Sequence, residues 1–316
     1  MAKSIIKRAL SSEGGVRIIF IDSTEIVRES CRLHHTSKTM TATLGRALTA
    51  TALMSSLLKD KDNTLTFRLA GDGPCGNVVC VGDYMGNVRG YADDMTVELP
   101  PHENGKLNVG GAVGGGSMYV IKDLGMNEPY VGVSNIVSGE IAEDVTNYFA
   151  ESEQTPTVCA LGVRVDNDNM CYAAGGYLIQ LMPGYEDRDI DIIETNVKMA
   201  GSVSKQIADG LSGDEIIAML FSGMEFELFD EFEAEYRCNC NEDRYMRALT
   251  TLNPHDWREL KEAGEPVETS CLFCGKKYRF ELDAIESARH EALKAKAKEI
   301  VRGKQEAKED GEENKQ

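Results

Sequence analysis

The spacing of apolar residues changes several times along the chain, and each change marks an element. Residues 16–21 (VRIIFI) form an unbroken β-branched and apolar run, which predicts a strand. Over 36–59, Met40, Leu44, Ala47, Leu48, Met54, Leu57 and Leu58 recur near i, i+4, i+7. That spacing predicts a helix with one apolar stripe, capped by Thr36 or Ser37. From Leu65 to about Val133, short β-rich runs alternate with glycine. Fourteen of the 30 glycines lie between Gly71 and Gly132, so short strands joined by tight turns are expected there. Residues 139–149 read as a helix with Ile141, Val145 and Tyr148 on one face. Residues 157–165 and 171–181 read as a hairpin turning through Asp166, Asn167, Asp168 and Asn169.

After Met182, Pro183 and Gly184 the pattern becomes helical over 186–224, with Ser212 and Glu215 spaced as a capping box. Residues 225–236 (EFELFDEFEAEY) alternate like a strand but carry six acids and no base. So much like charge repels itself, and 184–236 is read as a conditionally ordered, largely helical linker. An ordinary acidic surface segment is the alternative. Asp283 and Glu286 are placed to cap a last helix with Ile285 and Leu293 inward, and 303–316 reads as a solvated tail.

Charge narrows the function. Lys plus Arg number 34 against 52 Asp plus Glu, a net charge of −18. Nucleic-acid backbones and anionic membrane surfaces are both poor partners for such a chain. No apolar run approaches the roughly 20 residues of a membrane span, and the first residues are too interrupted for a signal peptide. A soluble cytoplasmic protein is expected.

The nine cysteines divide into two sets. Cys31, Cys75, Cys80, Cys159 and Cys171 are scattered, as small buried hydrophobes are. Cys238, Cys240, Cys271 and Cys274 form a CxC and a CxxC separated by thirty residues. Two close thiol pairs joined by a loop suit a tetrahedral Cys₄ zinc site, each pair supplying one edge. Gly275 after the CxxC can take positive φ and turn backbone N–H groups toward the sulfurs. Arg237, Arg244, Lys276 and Lys277 lie near enough in sequence to offset the −2 charge of zinc held by four thiolates. A structural staple for a small domain is the plainest role. Zinc-bound thiolates are also what oxidants attack, so a metal-releasing switch is chemically open.

Other motifs carry less. Residues 71–76 (GDGPCG) satisfy G-x-G-x-x-G, but a strand-like NVVCV follows where a dinucleotide site needs a helix, so a strand–turn–strand is favoured. A Cys31, His34 and His35 metal site is conceivable; unremarkable histidines beside a helix start are the simpler reading. The CxxC also admits a thiol–disulfide oxidoreductase. That chemistry prefers a helix start, whereas the strand-like KKYRFEL follows here.

HHTSKTMTATLGRALTATALM (34–54), LAGDGPCGNVV (69–79), GNVRGY (86–91), GGYLIQLMPG (175–184), YRCNC (236–240) and CLFCGKKYRF (271–280) together resemble the redox-regulated heat-shock holdase family, the bacterial 33 kDa chaperonins. The resemblance runs from about Ile6 to Leu282. It implies an ATP-independent chaperone, not an enzyme, inactive while reduced and zinc-bound. It implies that oxidation forms disulfides Cys238–Cys240 and Cys271–Cys274, releases the zinc, and unfolds the C-terminal domain with its linker. Unfolding client proteins then bind, and the active form is a homodimer. The fold expected is α+β: a mixed sheet-and-helix core (1–183), a metastable helical linker (184–236), a small Cys₄ zinc domain (237–302) and a disordered tail (303–316).

Overall fold

In the computed structural model the described residues are 3–294. The chain begins with β1 (Ser4–Ser11), β2 (Val16–Asp22), α1 (Thr24–His34) and α2 (Lys38–Ser55). Next come β3 (Thr64–Gly71), β4 (Asn77–Asp83), β5 (Val88–Ala92), α3 (Val109–Val113), β6 (Gly116–Asp123) and β7 (Tyr130–Asn135). They are followed by α4 (Ala142–Glu151), β8 (Thr157–Val165), β9 (Cys171–Leu181), α5 (Asp187–Ala200), α6 (Val203–Ala208), α7 (Gly213–Leu220) and β10 (Phe226–Ala234). The last elements are α8 (Glu242–Thr250), α9 (Pro254–Ala263), β11 (Val267–Ser270), β12 (Lys277–Phe280) and α10 (282–294). The strands form two five-stranded antiparallel sheets, ordered β10-β1-β2-β9-β8 and β5-β4-β3-β6-β7, and a β11-β12 hairpin. This is the expected α+β architecture. The described residues divide into two compact units, with the boundary after Cys238.

In the first unit α2 packs against strands of both large sheets. All of its 18 residues except Lys38 and Arg46 are buried, so the expected single apolar stripe is instead a helix enclosed on every side. Small residues permit this. A Cβ on Gly45 would meet Val27 Cγ1 at 2.8 Å and Val163 Cγ2 at 3.0 Å. The buried hydroxyls of Thr43, Thr49 and Thr51 donate to carbonyls one turn back, at 2.9, 2.7 and 2.7 Å, which removes their desolvation penalty. Ser37 caps the helix by accepting the Met40 N–H at 3.1 Å.

The unbroken VRIIFI run is explained by burial of both faces of β2. Ile19 and Ile21 enter the core around α2; Ile18 and Phe20 enter a second core with Ile193, Val203, Ile216 and Leu220 from α5–α7. The turn at 71–76 joins β3 to β4 directly, as expected, with no helix after it. A Cβ on Gly71 would lie 1.9 Å from the Val113 carbonyl oxygen, so no side chain fits there. Helix α4 starts three residues later than 139, because Ile141 takes φ 72°. The buried Asp144 carboxylate holds that turn, accepting N–H bonds from Val137 (2.7 Å), Ser138 (3.0 Å), Gly139 (3.3 Å) and Ile141 (2.8 Å). Ile141, Val145 and Tyr148 are all buried, as their spacing predicts.

Residues 184–236 are folded within the first unit. The Ser212–Glu215 capping box is present. Strand β10 is an edge strand paired with β1 from Ser4↔Ala234 to Ser11↔Phe226, with a bulge at Arg8/Ala9. Its acids face bases on or just before β1: Glu233 pairs with Lys3, Glu231 with Lys7 at 2.8 Å, and Asp230 with Arg8 at 3.1 Å.

The second unit has a small apolar centre: Tyr278, Phe280 and Ile285 are buried, with Tyr245, Met246, Leu249, Trp257 and Val267 against them. Helices α8 and α9 bury no residue. Leu293, expected inward, is 65% exposed, because α10 continues past the end of this centre. Asp283 sits inside the first turn, and the Glu281 carbonyl accepts the Ala284 and Ile285 N–H groups in its place. Residues 295–302 and the expected tail at 303–316 lie outside the described residues. Among the described residues, no helix is long and apolar enough to cross a membrane.

Candidate metal centre

Cys238 and Cys240 lie on the extended chain before α8, whose N-cap Asn241 side chain accepts the Arg244 N–H at 2.9 Å. Cys271 and Cys274 lie in the turn between β11 and β12. The turn is closed by Cys271 N–H to Lys276 O (2.9 Å) and Gly275 N–H to Cys271 O (2.8 Å). Gly275 has φ 71°, the positive value the CxxC-Gly pattern calls for.

The four sulfurs all lie within 4.8 Å of one another, and Cys240 Sγ to Cys274 Sγ is 3.4 Å. Zinc with Zn–S bonds near 2.3 Å requires sulfurs about 3.8 Å apart, so the four fit one tetrahedral ion. None of the four is joined in a disulfide, which would need sulfurs at about 2.05 Å. A set of four soft thiolates suits zinc and fills its coordination shell with no place for a reacting water, which is a structural rather than a catalytic donor set.

A second layer supports the sulfurs. The Tyr278 hydroxyl donates to Cys240 Sγ at 3.1 Å. Its ring stacks on Tyr245 with centroids 4.7 Å apart, and the Tyr245 hydroxyl donates to the Ser270 carbonyl at 3.5 Å. Both hydroxyls are held protonated well above the usual phenol range. For Tyr278 the hydrogen bond to Cys240 and the neighbouring sulfurs are the cause; for Tyr245 it is burial and then Cys271. The sequence reading did not anticipate either tyrosine. The alternation of Tyr278 and Phe280 in the strand after the CxxC was the available signal. Of the four bases expected to balance the charge, Arg244 donates to the Asn239 carbonyl at 3.4 Å and Lys276 lies 5.2 Å from the Tyr278 ring centroid. Arg237 pairs with Glu235 at 2.7 Å instead.

The remaining candidates separate. Cys31 lies buried in α1, His34 Nε2 is 3.1 Å from the Tyr236 hydroxyl, and His35 caps α1 in a left-handed conformation. The three do not form a ligand cluster among the described residues. Cys75, Cys80 and Cys171 are buried. Burial, followed by Asp93, pushes the Cys75 thiol up to about 11, and burial raises Cys80 and Cys171 strongly. Such thiols are poor nucleophiles.

Comparison with known proteins gives one consistent answer. The family described as Hsp33 protein matches residues 4–281. A 33 kDa chaperonin of Symbiobacterium thermophilum is 41% identical over 278 residues, covering 88% of this chain and 94% of that one. A 33 kDa chaperonin of Ruminiclostridium cellulolyticum is 41% identical over 289 residues, covering 92% and 99%. The crystal structure of the 33 kDa chaperonin (heat shock protein 33 homolog) of Thermotoga maritima superposes with a TM-score of 0.84 at 32% identity, covering 93% of this chain and all of that one.

Proposed function

The chain belongs to the Hsp33 family, and from that premise we propose that it is a redox-regulated, ATP-independent holdase. In this reading the reduced protein holds one zinc ion on Cys238, Cys240, Cys271 and Cys274 and is inactive. Two equivalents of peroxide accept four electrons from the four thiolates, disulfides Cys238–Cys240 and Cys271–Cys274 form, and the zinc leaves.

The observation that carries the reading is the meeting of four sulfurs within 4.8 Å, beside an apolar centre in which, among the described residues, Tyr278, Phe280 and Ile285 are buried. Each such side chain stabilises by about 1.5–3 kcal/mol, whereas structural zinc contributes about 10–16 kcal/mol to folding. A fold so dependent on its ion opens when the ion goes. The core (1–183), the metastable linker (184–236), the switch domain (237–302) and the tail (303–316) then have distinct roles. Melting of 237–302 frees 184–236, whose helices cover Phe20, Tyr177 and Ile179, and this apolar surface receives unfolding client proteins. The active form is a homodimer acting in the cytoplasm, with neither nucleic acid nor membrane as partner; the net charge of −18 keeps it soluble while apolar surface is exposed.

The CxxC sits in a tight turn between two strands rather than at a helix N-terminus, which favours binding over a thiol–disulfide oxidoreductase or other enzyme. The test is light scattering by a heat-unfolded client. Peroxide-treated, zinc-free protein is expected to suppress aggregation and reduced, zinc-loaded protein to leave it unchanged. Equal behaviour of the two forms overturns the proposal.

A further inference from the structure

The core carries a second pair of cysteines that the zinc switch does not use. Cys31 near the end of α1 and Cys171 at the start of β9 share one small buried cluster with Val27 and Ala174. The two elements are joined beside them, since Arg28 Nε donates to the Cys171 carbonyl at 3.2 Å. Both thiols are free. Their environments differ in one respect: Cys31 lines a cavity of about 310 Å³ together with Arg32, His35, Thr36, Asn169 and Met170. The cavity has room for a small hydroperoxide beside Cys31.

We propose that Cys31 and Cys171 are a second redox pair, oxidised by hydroperoxides to a disulfide that ties α1 to β9. Cys31 is the attacking thiol. Its thiolate displaces hydroxide from hydrogen peroxide, breaking the O–O bond and leaving Cys31 as a sulfenic acid. The Cys171 thiol then attacks the Cys31 sulfur, loses its proton, and expels hydroxide as water. The sum is two thiols and one peroxide giving one disulfide and two waters. Cys171, buried and raised, reacts slowly with free oxidant but is positioned for the second step. Thr41 Oγ1, 3.6 Å from Cys31 Sγ, accepts the Cys31 S–H in the reduced state and loses that bond when Cys31 turns toward Cys171. The bridge closes a long loop inside the core, which by restricting the unfolded chain favours the folded core under oxidising conditions. The proposal stands apart from the holdase reading, because it involves no zinc ligand.

The full-length reduced protein is treated with excess hydrogen peroxide, remaining thiols are alkylated under denaturing conditions, and unreduced digests are analysed by mass spectrometry. A peptide joining Cys31 to Cys171 is expected, whatever the state of the four C-terminal cysteines. In Cys171→Ser, dimedone is expected to label Cys31 as a sulfenic acid. In Cys31→Ser, Cys171 is expected to remain a free thiol. Complete alkylation of both cysteines in the treated wild type overturns the proposal, as does oxidation of Cys171 in Cys31→Ser. Failure of peroxide to release zinc would count against the holdase reading alone.

Discussion

Tyr278 shows how one hydroxyl tunes a site that four sulfurs define. Its O–H points at Cys240 Sγ, 3.1 Å away, and so places a proton against one corner of the four-sulfur cluster. Its ring does separate work, stacked between Tyr245 and Phe280 in the small apolar centre. Tyr278→Phe removes the first role and keeps the second. Outer-sphere partners of metal ligands are commonly worth 10–100-fold in affinity. Competition with a chromogenic chelator under reducing conditions is therefore expected to show zinc held about 10-fold more weakly, with the reduced, loaded fold unchanged by circular dichroism. Unaltered zinc affinity would show that the hydroxyl contributes nothing to the metal centre.

At the scale of elements, β10 depends on charges distant in sequence. Lys7, whose side chain is only 17% exposed, reaches Asp214 at 2.7 Å in the first turn of α7 and Glu231 at 2.8 Å on β10. Both acids are more than half exposed, so solvent screening limits the pair to about 1 kcal/mol. Lys7→Glu replaces two attractions by two repulsions. Urea unfolding is expected to show a loss of about 1–2 kcal/mol, smaller at high salt, with hydrogen exchange over 226–234 accelerated most. An unchanged exchange rate along β10 would mean that its backbone ladder alone holds it. The same strand explains where sequence reasoning stopped. Six acids in EFELFDEFEAEY repel one another when read locally, and the bases that answer them, Lys3, Lys7 and Arg8, stand more than two hundred residues away. Strand β1 is not legible in the sequence because Lys7 and Arg8 interrupt its apolar run. Nor is helix α1, because its buried face amounts to Ile26, Val27, Ser30 and Cys31 alone. Elements whose pattern is local, such as β2, β8, β9 and the Ser212 capping box, were legible. The cysteine pairs were legible for the same reason: CxC and CxxC state their geometry within three or four residues. Tyr245 and Tyr278 were not, because only the fold brings them to the sulfurs.

For the molecule as a whole, the two units rest on unequal foundations. The first surrounds α2 with two five-stranded sheets and buries dozens of apolar side chains. Among the described residues, the apolar centre of the second buries Tyr278, Phe280 and Ile285, and its helices α8 and α9 bury none. A core of that size secures a fold poorly, and in the proposed function an ion on the four cysteines supplies the rest. Trp257, the one tryptophan of the chain, lies in the second unit, partly buried against that small centre. The Arg289 guanidinium lies 5.1 Å from its ring centroid. Its fluorescence therefore reports on this unit and on no other part of the protein. Removing zinc with a strong chelator, under full reduction so that no disulfide forms, is expected to shift Trp257 emission to the red and to abolish hydrogen-exchange protection over 267–280. Protection along α2 is expected to persist, because nothing in its enclosure by the two sheets depends on the metal. Re-adding zinc should restore both signals, since the thiolates remain intact. Unshifted emission from metal-free, fully reduced protein would show that the second unit folds on its apolar contacts, and that thiol oxidation, rather than loss of the ion, would have to drive any opening.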